Sequence, residues 1–355
     1  MDRHIYRGGY LVKELKGVND VREFKIEEER VFHSATHEEI VSGATSDLYF
    51  LRTRELLAHA GKENTPVVAE IFCSRPGVLV GVEEAFNLLK GKKVSLWAVP
   101  EGSEVERKEV VMRISGPYDE FGMYETALLG MLASASGWAT AARTCRDAAG
   151  EKPVFCFGAR HVHPAVAPVM ERASIIGGAR DCSCIMGAKL LGKEPVGTVP
   201  HAAILIIGDT VETALLYNKI MPPDSPRIIL VDTFKDEAEE TLRVAAALKE
   251  QLYGVRLDTP VERGGVTPGL VREIRARLDQ AGYAHVNILV SGGITVERIP
   301  LLAEAGADAF GVGSYISAAR PIDMTMDLKE IKGQPIAKRG RIPGITANPR
   351  LLRYL

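Results

Sequence analysis

A chain of 355 residues, 46% hydrophobic and 25% charged, exceeds one average domain and has an ordinary globular make-up, so two structural units are expected. A formal net charge of −2 speaks against a nucleic-acid or acidic-membrane partner, and no apolar run reaches the ~18 residues of a transmembrane helix. Met1–Tyr10 carries Asp, Arg and His without an apolar signal core. The five scattered cysteines, Cys73, Cys145, Cys156, Cys182 and Cys184, lack C-x-x-C spacing, so buried thiols in a reducing cytoplasm are expected, without zinc.

The first 30 or so residues are charged and weakly patterned. Ser42–Arg52 passes from a polar turn into a helix expected to run through Ala60 and stop at Gly61, with Thr45 or Ser46 as N-cap. On spacing alone Tyr49 is a half-buried residue of that helix. Val67–Phe72, Val94–Val99 and Val110–Ile114 read as strands of a small sheet domain, with turns at Arg75–Gly77 and Pro100–Gly102. Phe121–Thr144, rich in Ala, Leu, Met and Gly, reads as one or two close-packed helices, with Gly137-Trp138 either breaking the run or admitting a neighbour.

After Gly150 the rhythm becomes strand, turn, helix. Seven strands are predicted: Pro153–Phe157, Asp181–Ile185, Val196–Thr198, Arg227–Asp232, Tyr253–Asp258, Val286–Ser291 and Ala309–Val312. Between them lie helical patterns at Pro164–Ile176, Asp209–Ile220, Lys235–Leu252, Thr267–Ala281 and Thr295–Ala305, and Asp209 with Glu212 forms a capping-box pattern. Alternating βα units define an α/β class with a parallel sheet, an incomplete (β/α) barrel of about seven strands. The expected division is residues 1–150, 151–320 and a C-terminal segment 321–355 packing back on the first. Within that segment Lys338-Arg339-Gly340-Arg341 reads as solvated tail.

Two glycine-rich turns organise the chain. Asn287–Val290 runs into Ser291-Gly292-Gly293, and one βα unit later Ala309–Phe310 runs into Gly311-Val312-Gly313-Ser314. Glycines let backbone approach an anion closely, and N–H groups with a following helix N-terminus point at it, so the pair reads as a phosphate cup. Other polar residues gather at strand ends. Phe157-Gly158-Ala159-Arg160-His161-Val162-His163 places an aromatic, an arginine and two histidines where a small anionic aromatic can bind, the alternative being a capped turn with surface basic residues. Gly197-Thr198-Val199-Pro200-His201, Val231-Asp232 and Arg256-Leu257-Asp258 follow. A lone aspartate after a strand is often an N-cap. Two of them with Arg256 beside a phosphate cup suit a ribose phosphate, the carboxylates taking sugar hydroxyls or Mg²⁺ and the arginine pairing with phosphate.

These motifs occur in the order and spacing of nicotinate phosphoribosyltransferases, and the chain resembles the compact archaeal and bacterial form of that type II phosphoribosyltransferase family. Asp47-Leu48-Tyr49 also matches, and the stretch from Ala69-Glu70 to Thr140 resembles the sandwich-plus-helix part shared with quinolinate phosphoribosyltransferase. The resemblance implies a smaller N-terminal α/β sandwich-like domain beside the barrel. It implies transfer of phosphoribosyl from phosphoribosyl pyrophosphate to nicotinate, coupled to ATP as co-substrate, with Mg²⁺ and no protein-only metal site. By the same resemblance His201 is the phosphohistidine and Asp232 the acid beside it. Phe157 and Tyr49 stack on the pyridine ring, Tyr49 coming from the second subunit of a homodimer or higher homo-oligomer. Asp47, Arg160 and Thr198 belong to the substrate site. Arg256 and Asp258 serve ribose and pyrophosphate, and Ser291, Gly292, Gly293, Gly311, Gly313 and Ser314 hold the 5′-phosphate. Many relatives have a second arginine where this chain has His161, and the cysteine cluster of some compact relatives is absent, so no structural zinc is implied.

Two other readings stand beside this one. Quinolinate phosphoribosyltransferase has the same architecture, but needs extra cationic groups for a second carboxylate and no ATP-linked histidine, and the Gly-Thr-x-x-His run counts against it. A non-catalytic phosphate-ligand sensor would leave Arg256, Asp258, Asp232 and His201 redundant.

Overall fold

A computed structural model describes residues 14–26 and 30–355; the Met1–Tyr10 stretch lies outside the described residues. The chain divides into one unit of residues 1–137 with 320–355, and a second of residues 138–319.

The first unit is built on an antiparallel sheet of six strands. Pro66–Cys73 lies between Val110–Pro117 and Met324–Ile331, and Ser95–Ala98 lies between Val110–Pro117 and the short C-terminal strand Leu352–Arg353. Alternation explains the core: Ala69, Ile71 and Cys73 are buried on one strand, with Leu96 and Ala98 on another, together with Leu128 and Leu132 of the long helix Glu125–Ala149. That helix runs unbroken through Gly137. Gly137 admits a neighbour, since a Cβ there would sit 2.5 Å from the Arg320 carbonyl oxygen. In the basic run near residue 340, Lys338, Arg339 and Gly340 are exposed as expected, and Arg341 is held. Arg341 pairs with Asp327 at 3.0 Å and lies over the Phe72 ring, and Thr346 N–H donates to the buried Glu70 at 3.1 Å. The weakly patterned start also contains a short helix, Val18–Glu23, whose Val18 N–H donates to Glu55.

The helix predicted after Ser42 forms at Leu48–His59, with Gly61 in the left-handed region at φ 62°. Its N-cap position falls on Asp47 rather than Thr45 or Ser46, and the Asp47 carboxylate instead accepts from Thr126 Oγ1 at 2.9 Å. Nearby, burial raises the Glu125 carboxyl from 4.5 to about 7, with Asp327 and Asp47 adding repulsion. The native state therefore holds this proton to a higher pH than the unfolded chain. Its contribution to stability is complete below about pH 4.5 and is lost as pH rises through 7. Glu125→Gln is expected to match the wild-type stability near pH 4.5 and to be more stable at pH 8, by an unfolding free energy on the order of 2 kcal/mol that raises its melting temperature. Melting curves at the two pH values check this, and equal gains at both would refute it.

The second unit is a half-barrel of six parallel strands, Val154–Cys156, Asp181–Cys182, Ile228–Leu230, Gly254–Leu257, Asn287–Val290 and Ala309–Val312. Numbered in that order, they lie side by side as second, first, sixth, fifth, fourth, third. Val196–Thr198 is not a strand. This stretch, with Pro195 before it and Pro200 after, crosses as an extended connection, so the count is six rather than seven. The Asp181–Ile185 strand is also shorter, because Cys184 N-caps a helix at Ile185–Lys189.

Helices cover the outer face. Thr210–Ile220 starts at Asp209, whose side chain accepts from Glu212 N–H, and Pro268–Gln280 starts at Thr267, which accepts from Leu270 N–H. In the fourth strand Val255 and Leu257 are fully buried in the core beneath these helices, so the intervening Arg256 turns to the concave face. Register brings the strand ends level: Cys156 is opposite Cys182 and Val312, and Val290 is opposite Leu257 and Phe310. The residues just beyond these pairs therefore emerge along one rim.

Candidate active site

The rim is held together by Arg256. Its Nε donates to Ser291 Oγ at 2.8 Å, Nη1 to Thr198 Oγ1 at 3.0 Å and Nη2 to Asp258 at 3.3 Å. Its guanidinium carbon lies 5.1 Å from the centroid of the Phe157 ring. Five residues of the predicted site thus meet around one side chain, although Thr198 lies 58 positions from Arg256 in the chain. Burial lowers the Arg256 pKa, and the Asp258 and Asp232 carboxylates oppose that shift. Phe157 stacks on Phe155 with centroids 6.5 Å apart and planes 13° apart, forming an aromatic shelf. A cavity of about 690 Å³ reaches from Phe157 and Thr198 at the rim along the concave face, past Phe155 and Leu289, to the strand starts at Asp181, Gly254 and Ala309.

His201 opens the helix His201–Ile207, and its Nε2 lies 3.0 Å from Asp232 Oδ2. The Asp232 side chain is 2% exposed, and its Oδ1 is buried with no hydrogen-bond partner. Burial pushes the Asp232 carboxyl above its ordinary range, the His201 contact pulls it back, and Asp258 adds repulsion. Neither aspartate is a simple N-cap: the helix Glu237–Leu248 is capped by Asp236, four residues past Asp232. Asp258 instead accepts from Ser291 Oγ at 2.9 Å, which ties the fourth strand end to the glycine turn.

Gly292 and Gly293 both have left-handed backbones, at φ 81° and 60°. Arg298, which the sequence reading missed, donates to the carbonyls of Gly293 at 2.6 Å and Gly292 at 3.3 Å. It draws the carbonyls of this turn to one side. Its spacing of five residues past Gly293, at the start of the helix Arg298–Glu304, is the signal that could have found it.

The second turn packs closely against the aromatic shelf. A Cβ on Gly311 would lie 2.4 Å from Phe157 Cε2, and one on Gly313 would lie 2.8 Å from His161 Cε1. These two glycines make room for the aromatic shelf and its following turn. Ser314 begins the short helix Ser314–Ser317. Arg160 and His161 occupy a 3-10 turn directly after Phe157 and are both exposed at the rim, with Ser317 Oγ 3.3 Å from His161 Nδ1. Asp47 and Tyr49 belong to the other unit. Tyr49 is 56% exposed, more open than the half-buried position its spacing implied.

An aromatic shelf, an arginine paired with a carboxylate and a double-glycine turn lie on the rim of the parallel half-barrel, the architecture of the type II phosphoribosyltransferase fold. Residues 47–136 match the family model described as "Quinolinate phosphoribosyl transferase, N-terminal domain", and residues 138–327 match its C-terminal domain. A solved nicotinate-nucleotide pyrophosphorylase from Pyrococcus furiosus is 45% identical, over 89% of this chain and 82% of that one, with a TM-score of 0.85. The chain belongs to the quinolinate phosphoribosyltransferase family. A nicotinate phosphoribosyltransferase of Mycobacterium tuberculosis is 29% identical over 248 residues, 67% of this chain but 52% of that protein. The chain thus spans about half the length of the first curated relatives it matches. A probable nicotinate-nucleotide pyrophosphorylase [carboxylating] of Methanothermobacter thermautotrophicus is 24% identical over 79% of this chain and 94% of its own length.

These matches overturn the expectation of an ATP-coupled nicotinate enzyme. Both domains match the quinolinate family, and the relative at 45% identity is a nicotinate-nucleotide pyrophosphorylase. The Gly-Thr-x-x-His run lies in an extended connection rather than at a strand end, and its histidine opens a helix, a position that has more than one use. Here His201 is engaged by Asp232, a contact that requires no phosphorylation.

Proposed function

We propose that the protein is a quinolinate phosphoribosyltransferase. It would join pyridine-2,3-dicarboxylate to phosphoribosyl pyrophosphate, releasing pyrophosphate and CO₂ and leaving nicotinate mononucleotide. The observation that carries this reading is the match of both halves of the chain to that family, across residues 47–136 and 138–327. The geometry supports it: Arg160 follows Phe157 in one turn and Arg256 lies over its ring, so two guanidinium groups flank the shelf.

In this reading the ring nitrogen's electron pair attacks C1′ as the C1′–oxygen bond to pyrophosphate breaks, through an oxocarbenium-like transition state. Phe157 presents a face to the pyridine ring, and Arg160 and His161 meet its carboxylates. Arg256 supplies positive charge beside the departing pyrophosphate. The Gly292-Gly293 turn, its carbonyls drawn to Arg298, leaves backbone room for the 5′-phosphate. Once the ring nitrogen is positive, the bond from C2 to its carboxylate breaks. CO₂ leaves, the electron pair stays at C2, and a proton takes the vacated position.

Magnesium accompanies this reading. Asp232 Oδ1 lacks a partner and Asp258 lies close enough to repel the Asp232 carboxylate, a donor pair that fits a hard cation. Among the described residues no cluster of three or more His, Cys, Asp or Glu could hold a metal, so phosphate oxygens would complete its shell. When bound, the ion would neutralise charge on the pyrophosphate. Four of the five free cysteines are buried, which suits a reducing cytoplasm, and no helix among the described residues is long and apolar enough to cross a membrane.

The deciding experiment supplies phosphoribosyl pyrophosphate with quinolinate labelled at the 2-carboxylate, and with nicotinate and nicotinamide in parallel, each with and without ATP. The expected result is labelled CO₂ in one-to-one ratio with nicotinate mononucleotide, independent of ATP. Consumption of nicotinate but not quinolinate would overturn the reading.

A homodimer completes it, with Tyr49 entering the partner's site. Ile185, Met186, Leu190, Leu205, Ile206 and Ile220 are all exposed on the second unit, apolar surface that self-association would cover. Mixing Tyr49→Ala chains with Arg256→Ala chains is expected to restore activity toward a quarter of wild type through hybrid sites. Absence of complementation despite demonstrated subunit exchange would place Tyr49 outside the neighbour's site.

A further inference from the structure

Glu171 is a carboxylate with 0% exposure, on the inner side of the helix Ala167–Gly177. Its Oε1 accepts from the N–H groups of Gly158 at 3.0 Å and Ala159 at 2.9 Å, and from Ser183 Oγ at 3.2 Å. Its Oε2 accepts from Cys184 N–H at 2.5 Å. Three backbone donors and a hydroxyl thus converge on one buried anion. They come from two loops: Gly158 and Ala159 lie between Phe157 and Arg160, after the first barrel strand, while Ser183 and Cys184 follow the second.

A carboxylate is the side chain that suits this place, because both its oxygens accept and neither donates. Burial of a carboxylate without such donors is strongly unfavourable, so the loops and the anion hold each other in place. The packing around it leaves little slack. A Cβ on Gly158 would lie 2.8 Å from Met170 Cε, and one on Gly187 would lie 3.2 Å from Glu171 Cβ. The Phe157–Arg160 turn is therefore fixed at its middle by a residue more than ten positions along the chain.

We propose that Glu171 is a positioning residue for the pyridine-binding turn. By clamping Gly158 and Ala159 it sets the angle at which Phe157 and Arg160 face the cleft, and through Ser183 and Cys184 it locks that turn to the neighbouring strand end. It touches no reacting atom. This inference rests on the proposed function, in which Phe157 and Arg160 receive the pyridine carboxylate.

Glu171→Gln tests it. The amide keeps one acceptor oxygen but turns an NH₂ toward N–H donors on its other side, so one of the two loops is released. The Michaelis constant for the pyridine substrate is expected to rise at least 20-fold, while that for phosphoribosyl pyrophosphate stays within twofold. Hydrogen exchange at the amides of Gly158, Ala159 or Cys184 is expected to accelerate at least tenfold, a readout that needs no turnover. An unchanged pyridine Michaelis constant, or unchanged amide exchange, overturns the inference. If Glu171→Gln does not fold, Glu171→Asp, one methylene shorter, is expected to raise the pyridine Michaelis constant about fivefold, and no rise overturns the inference. Equilibrium titration of the wild type with pyridine-2,3-dicarboxylate and pyridine-3-carboxylate separates the two levels of the argument. If neither binds, the proposed function fails and the inference fails with it. If one binds equally well to wild type and Glu171→Gln, only the inference fails.

Discussion

Arg256→Ala is expected to lower kcat/KM by about three orders of magnitude, with most of the loss in kcat. The side chain makes hydrogen bonds to Ser291, Thr198 and Asp258 and stands over Phe157, so its charge is held in place before substrate arrives. Such a group stabilises charge developing on a leaving pyrophosphate without reorganising during the reaction. Its removal also leaves Asp258 without a cation and frees the Thr198 connection from the barrel strand. Arg256→Lys is expected to recover little, since one ammonium cannot satisfy three partners fixed by a planar fork. Single-turnover rates and substrate titrations, with circular dichroism as the fold control, check the expectation. A loss below tenfold in kcat/KM would remove Arg256 from the catalytic group.

Gly311→Val is expected to raise the Michaelis constant for the pyridine substrate by about 30-fold or more, beyond the ~1–3 kcal/mol that overpacking a core normally costs in stability. The added Cβ would lie 2.4 Å from Phe157 Cε2 and 3.2 Å from Ser291 Cβ, in a strand whose neighbours on both sides are buried. The strand cannot retreat, so the ring must leave its shelf, and with it goes the stack on Phe155. Gly311→Ala should act in the same direction with a smaller effect. If both variants bind the pyridine substrate normally while folded, the shelf is not where it binds.

Much of the second unit was legible because its signals are local. Parallel strands buried beneath helices read as short apolar runs, and Asp209 and Thr267 cap their helices as short polar side chains do at such starts. Polar residues at the ends of those runs pointed to the rim before any contact was known. The reading failed where local pattern and neighbours disagree. Val196–Thr198 has a strand's composition but finds no place in the sheet, and Arg341, at the end of an otherwise exposed basic run, is drawn onto the sheet by Asp327 and Phe72. Gly313, assigned to the phosphate cup, also lies close to His161, a neighbour that no local pattern shows.

By itself, then, the sequence determined the alternating α/β class, the rim residues from Phe157 to Ser314 and the glycine turn at Gly292-Gly293, since each depends on periodicity or on the conformational freedom of single residues. Only the tertiary structure decided which of them meet. Arg256 reaches Thr198 across 58 positions, Asp232 takes His201 as its partner, and Glu171 clamps two loops from a helix that shows no site motif. Hydrogen bonds act over about 3 Å, and strand register sets which distant residues come that close.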